Sequence, residues 1–401
     1  MAEEGYGLGT TALHGARRRT EEKPRPHAVP IYQSSAFTFP DTRTGQAAFL
    51  GSGDYIYTRQ GNPTIRALEE RIAALESLPV PGRETPDPQC IDCCFFASGM
   101  AAIGAVALGV AGGGGRIVAQ EGIYGTAERM LRDLPRYGME ADFAPAGDLD
   151  ALRDAVGRGR PPALVHIETP ANPLLQVTEI GEAARIAHEA GAMLVVDGTF
   201  STPALLRPLA WGADLVVHST TKFISGHGVA LGGAVSGTDD VIRRLVRPVR
   251  KDLGGAADPF AAWLTLLGLL TLPLRMARYS ANAAALAEFL RGHETVVAVH
   301  HPDPSSLPPG QLEAGGPMLS FQLAGGAEGA ARVMDRLRLA TLAATLGTLD
   351  TLVQHPYSMS HVVLPEERRR AMGIGPGLLR VSVGLEDEAD IIGDFRQALE
   401  E

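Results

Sequence analysis

Between residues 90 and 236, short apolar runs alternate with amphipathic stretches. The runs cover 91–96, 116–119, 163–168, 193–197, 214–218 and 232–236. They are too short for helices and too uniformly apolar for a sheet with one wet face, so each reads as a strand buried on both sides. Between them, apolar residues recur at helical spacing over 100–110, 149–156 and 180–190. Strand alternating with helix predicts βαβ units and a largely parallel sheet covered on both faces. In such a sheet ligands sit beyond the carboxyl ends of the strands.

The flanks read differently. Residues 1 to about 65 are rich in Pro, Gly, Thr and Arg with little periodicity, which predicts an arm lying on a partner subunit. A helix is expected from Thr64 through Ala67, Leu68, Ile72 and Leu75, ending before Pro79. Beyond Pro248 the pattern is helical over 259–278 and 280–291, then gives strands near 318–323 and 378–383 and a terminal helix. The expected organisation is an arm (1–65), an α/β domain (66–248) and a smaller α+β domain (249–401).

Composition narrows the function. A net charge of -10 excludes a protein that tracks nucleic-acid phosphates, which needs a basic surplus. The start Met1-Ala2-Glu3-Glu4 lacks a secretory pattern, and the apolar run 261–272 is too short for a bilayer and meets Pro273. A cytoplasmic protein acting on a small molecule is expected, with neither nucleic acid nor membrane as partner. Cys90, Cys93 and Cys94 crowd one segment, which excludes a disulfide framework and reads as core thiols rather than a metal site.

Of 36 Lys and Arg residues, lysine occurs only at 23, 222 and 251. Arginine cannot replace lysine where an amine must lose its proton and attack a carbonyl, so these positions merit inspection. Met193-Leu-Val-Val-Asp197 ends one strand in a carboxylate. Asp214-Leu-Val-Val-His218 ends the next, just before Ser219-Thr220-Thr221-Lys222. An acid and a lysine at one crevice suit pyridoxal 5'-phosphate: the carboxylate keeps the pyridine nitrogen protonated and the amine binds the aldehyde. Ser98-Gly99-Met100 follows a strand and opens a helix, offering N–H groups to a phosphate, with Ser219 and Thr221 adding hydroxyls. The glycines at 112–115 lack the spacing of a dinucleotide fingerprint.

Further segments make the pattern specific: Pro30-Ile-Tyr-Gln-Ser-Ser35, Tyr57-Thr-Arg59-Gln-Gly-Asn-Pro-Thr64, Tyr124-Gly-Thr126, Glu168-Thr-Pro-Ala-Asn-Pro173, His355-Pro356, Met359-Ser-His361 and Arg380-Val-Ser-Val-Gly-Leu-Glu386. Their order resembles the cystathionine/methionine family of pyridoxal-phosphate enzymes, which includes cystathionine gamma-synthase, cystathionine gamma-lyase, methionine gamma-lyase and O-acylhomoserine sulfhydrylase. The resemblance implies fold type I, with a mostly parallel seven-stranded sheet and a smaller α+β C-terminal domain. It implies that Tyr57 and Arg59 reach the phosphate of the neighbouring subunit and that Tyr124 stacks on the pyridine ring. Asn172 would contact the ring oxygen and substrate, Thr345 would line the substrate, and Arg380 would grip its carboxylate. The minimal active unit would be a homodimer, commonly paired into a homotetramer.

The family's reactions diverge after the α-proton passes to the lysine. Members that use cystathionine carry Glu where this chain has Ala344, ahead of Thr345-Leu-Gly347. Lys251-Asp252 resembles a pair seen in methionine gamma-lyases, whereas Thr126, Gly198 and Asp350 depart from the usual residues. The expected reaction is γ-elimination from a methionine-like amino acid. The alternatives are γ-replacement, including a substrate from specialised metabolism, and a catalytically silent α/β scaffold.

Overall fold

A computed structural model describes residues 6–15, 26–84, 86–362 and 364–400; Glu3, Glu4 and Lys23 lie outside the described residues. Seven strands form the larger sheet: β1 (Ile91–Phe96), β2 (Arg116–Gln120), β3 (Glu140–Ala144), β4 (Leu164–Glu168), β5 (Met193–Asp197), β6 (Leu215–His218) and β7 (Gly233–Thr238). Their spatial order is β1-β7-β6-β5-β4-β2-β3. Alternate residues feed two cores, because successive strand side chains point to opposite faces. Leu194 and Val196 join Leu68 and Ile72 of the helix Pro63–Glu76, while Val195 joins Ala102 and Val106 of the helix Gly99–Ala111. Each buried Val or Leu contributes about 1.5–3 kcal/mol, so this two-sided burial fixes the register.

The structure corrects the sequence reading in four places. β3 is an additional strand at the sheet edge, where Glu140 is exposed and Asp142 pairs with Arg116 at 2.7 Å. Charged, one-sided edges guard against further pairing and carry no continuous apolar run. The strand expected over 232–236 is β7, which runs antiparallel to both β1 and β6. The helix expected over 259–278 is two helices, Pro259–Leu270 and Leu272–Arg291, bent by 61°. Pro273 lacks an N–H and belongs in a first turn, so it opens the second helix. Finally, the arm contains helices Leu8–His14 and Thr42–Phe49, and Ala12 of the first is buried against the chain's own core. No single helix among the described residues is long and apolar enough to cross a membrane.

A second sheet has the order β10-β11-β12-β9-β8, from β8 (Val296–His300), β9 (Met318–Leu323), β10 (Thr341–Leu342), β11 (Leu352–Gln354) and β12 (Leu378–Ser382). The helices Leu272–Arg291 and Glu388–Glu400 cover it, with Phe321 and Phe395 edge to face at 6.1 Å. Its strand β12 carries Arg380 toward the end of the larger sheet.

Candidate active site

The carboxyl ends of β4, β5 and β6 bring polar groups together. Asp197 ends β5, and its Oδ1 accepts from the Thr199 N–H (3.0 Å) and hydroxyl (2.5 Å). The Thr199 hydroxyl oxygen accepts from the Ser219 N–H at 2.8 Å, which ties the Asp197 turn to the segment after β6. Glu168 ends β4 in register with Asp197. One of its oxygens accepts from the Tyr124 N–H at 2.7 Å and the other from the Asn172 N–H at 2.9 Å. Burial, reinforced by Asp197, pushes the Glu168 carboxyl up to about 8.

Lys222 lies in the segment joining β6 to β7. Its amine donates to the Thr345 hydroxyl at 3.0 Å. Burial, with the positive charge of Arg380, holds the amine down at about 8. Arg380 is buried and donates to Asn172 Oδ1 at 2.9 Å and to the Thr345 carbonyl at 3.3 Å. Thr345 therefore holds the lysine by its hydroxyl and the arginine by its carbonyl. Gly347 permits this approach: at φ +81° its absent Cβ would lie 2.7 Å from Phe223 N and 2.9 Å from Lys222 Cα. Any side chain there would be strained and would displace the lysine backbone.

At the start of the helix Gly99–Ala111, Ser98 is the N-cap, its hydroxyl oxygen accepting from the Ala101 N–H at 3.1 Å. The N–H groups of Gly99 and Met100 have no intrahelical acceptor at that position. A Cβ on Gly99 would fall 2.9 Å from the Ser219 Cβ, so the glycine keeps a cradle open beside the serine. The Thr221 hydroxyl bridges the Gly232 N–H (3.0 Å) and carbonyl (3.2 Å), closing the lysine segment onto β7.

Tyr124, whose N–H is held by Glu168, is half exposed. Tyr57 and Arg59 are not part of this cluster. Arg59 donates to the Lys251 carbonyl and lies 5.6 Å from the Tyr57 ring centre, and no bond among the described residues joins either side chain to Lys222, Asp197 or Ser219. Tyr57 is 42% exposed.

Sequence reasoning overlooked Glu168, Thr199 and Gly347, although Glu168 stood inside a quoted motif and Gly347 ended another. It also quoted His361 without a role; burial, then Arg380, hold its imidazole down at about 4, so it is neutral near pH 7. Gly198 sits where a Cβ would meet the His218 ring at 3.1 Å, and His218 is itself locked to buried Glu76 at 2.5 Å.

The donors and acceptors fit pyridoxal phosphate. An amine, a strand-end carboxylate and a helix start left open by a glycine are the three groups that its aldehyde, ring nitrogen and phosphate require.

Residues 9–400 match the family model described as Cys/Met metabolism PLP-dependent enzyme. The L-methionine gamma-lyase of Fusobacterium nucleatum subsp. polymorphum is 37% identical over 409 residues, spanning 100% of both chains. The O-succinylhomoserine sulfhydrylase of Pseudomonas aeruginosa is 37% identical over 99% of this chain and 96% of its own. Among solved structures, cystathionine gamma synthase from Xanthomonas oryzae pv. oryzae, in complex with aminoacrylate and cysteine, superposes with a TM-score of 0.86. It is 36% identical and covers 98% of each chain.

Proposed function

The chain belongs to the Cys/Met metabolism PLP-dependent enzyme family, and on that premise we propose that it is a carbon–sulfur lyase. It takes a methionine-like amino acid and water to a thiol, ammonia and a 2-oxo acid. The observation that carries this reading is the Lys222 amine, lowered to about 8 and held 3.0 Å from Thr345, the residue that also fastens Arg380. An amine of that basicity can take and return protons near neutral pH.

Pyridoxal phosphate, when bound, supplies an electron-withdrawing ring that stabilises negative charge on the substrate's α- and β-carbons. Arg380 grips the α-carboxylate through its planar fork, and Asn172 orients that fork. Lys222 carries first the α-proton and then a β-proton, after which the γ-substituent leaves. Asp197 keeps the ring nitrogen protonated, and Tyr124 covers the ring. The N–H groups of Gly99 and Met100 receive the phosphate, with the Ser98 and Ser219 hydroxyls beside them. Tyr57 and Arg59 serve the phosphate of a second subunit, so the working unit is a homodimer, further paired into a tetramer, in the cytoplasm.

The L-methionine gamma-lyase relative supports elimination. Ala344 supports it as well, since it supplies no carboxylate beside Thr345 to orient a second amino group. The alternative, γ-replacement by an added thiol or amino acid, is favoured by the equally similar sulfhydrylase. A screen of sulfur- and oxygen-substituted amino acids for 2-oxo acid release, with and without thiol acceptors, tests the reading. Release from none of them without an acceptor would overturn it.

A further inference from the structure

The segment that carries Lys222 is neither helix nor strand, so its carbonyls must find partners one by one. Several are met locally: Ser219 O accepts from Lys222 N (3.1 Å), Thr220 O from Ser225 N (2.9 Å) and Lys222 O from Gly226 N (2.8 Å). The next two are met from outside. Arg275, on the helix Leu272–Arg291, donates to Phe223 O at 2.7 Å and Ile224 O at 3.2 Å. The same guanidinium reaches Gly268 O at 2.7 Å and the Thr271 hydroxyl at 3.1 Å, filling the bend between the two helices.

These four partners are carbonyls and a hydroxyl, and Arg275 is only 5% exposed. Burying a cation beside neutral acceptors is costly, and burial lowers this guanidinium's pKa. Its four hydrogen bonds offset that cost, and in doing so they fix the two lysine-segment carbonyls to the helix bend. The fold also makes room for it: Gly226 has φ +72°, and a Cβ there would collide with the guanidinium.

One turn along the same helix face, Tyr279 continues the contact. Its ring packs edge to face on Phe223 at 5.7 Å, and its hydroxyl donates to Thr348 O at 2.9 Å. Phe223 adjoins Lys222, and Thr348 adjoins Gly347, three residues from Thr345. The Arg275–Tyr279 face thus touches both segments whose meeting sets the bond between the Lys222 amine and the Thr345 hydroxyl.

We infer that Arg275 is a positioning residue for Lys222, and that with Tyr279 it sets the lysine segment against the Thr345–Gly347 segment. The inference rests on Lys222 being the cofactor-bearing lysine. Arg275→Lys keeps the charge but loses the fork, so at least one buried carbonyl is left unpaired. That is worth on the order of tenfold in an equilibrium.

The test uses the holoenzyme variants Arg275→Lys and Tyr279→Phe. The first readout, without substrate, is the rate at which each loses bound pyridoxal phosphate to a hydroxylamine trap, followed by absorbance. The second is kcat and KM for methionine. Arg275→Lys should lose the cofactor roughly tenfold faster and show a kcat lower by a similar factor, with KM little changed because Arg380 and Asn172 are untouched. Tyr279→Phe, which removes one hydroxyl, should move both in the same direction by about threefold, and decides the matter if the arginine variant does not fold. Trap rate and kcat at wild-type values in Arg275→Lys, with only thermal stability reduced, would overturn the inference. Lys222→Ala separates the two claims: if it still holds the cofactor in the wild-type absorbing form, the reading of Lys222 fails and the role of Arg275 falls with it.

Discussion

The basicity of Lys222 can be measured through its reaction with the cofactor. An ordinary lysine, with a pKa near 10.4, is about 0.04% neutral at pH 7, whereas one at about 8 is about 9% neutral, a gain of roughly 230-fold in nucleophile. The rate at which cofactor-free protein takes up pyridoxal phosphate should therefore rise about tenfold per pH unit below 8 and level off above it. Burial is the larger cause of the displacement from 10.5 to about 8, and Arg380 the second. Replacing Arg380 with Met thus recovers less than half of that interval, moving the inflection up by about one pH unit. Stopped-flow absorbance from pH 6 to 10 gives both profiles. A wild-type rate that climbs without a plateau to pH 10 would refute a buried, low-pKa amine. An inflection that falls in Arg380→Met would refute the electrostatic assignment.

Other perturbations reach other parts of the account. Glu69 is buried among Arg250, Arg247 and Arg66, and their charges outweigh burial and hold it at about 2. Its contribution to stability is full above the unfolded value near 4.5 and is lost as pH falls toward 2; Glu69→Ala should cost about 3–5 kcal/mol in urea denaturation at pH 7, and a loss under 1 would contradict the network. Glu168 has the opposite sign, because burial raises it to about 8: its contribution is present below pH 4.5 and is lost as pH rises through 8, a slope of roughly 1.4 kcal/mol per pH unit. Glu168→Gln should flatten stability across that window, and an unchanged slope would show that another group titrates there. Gly347→Ala should lower kcat by about 5- to 150-fold, since about 1–3 kcal/mol of strain falls on the Lys222 backbone. Mixing inactive Lys222→Ala and Arg59→Ala chains should restore activity if each site draws Arg59 from the other subunit; unmixed and mixed samples of equal activity would place Arg59 in its own site.

What was legible in the sequence follows from which physical constraints act locally. Strands buried on both faces must be apolar throughout, so β4, β5 and β6 stood out, and with them Asp197 and Lys222 at their ends. β3 lies at an edge and alternates exposed with partly buried residues, leaving no apolar run to find. The reversal of β7 depends on how the lysine segment folds back through Thr221 and Gly232, which periodicity does not encode. Pro273 marked the bend between two helices, but it reads equally as an end or a beginning until the bend is seen. The positions of Arg380, Thr345 and Arg275 relative to Lys222 arise from contacts between distant segments. For Arg380 and Thr345 the resemblance supplied the expectation. For Arg275 only the structure does.

The most direct test is to give the purified holoenzyme L-methionine alone and quantify methanethiol, ammonia and 2-oxobutanoate. The account predicts all three in equal amounts without any added nucleophile, and none from Lys222→Ala. Turnover that appears only when a thiol or a second amino acid is supplied would contradict it and assign the chain to γ-replacement.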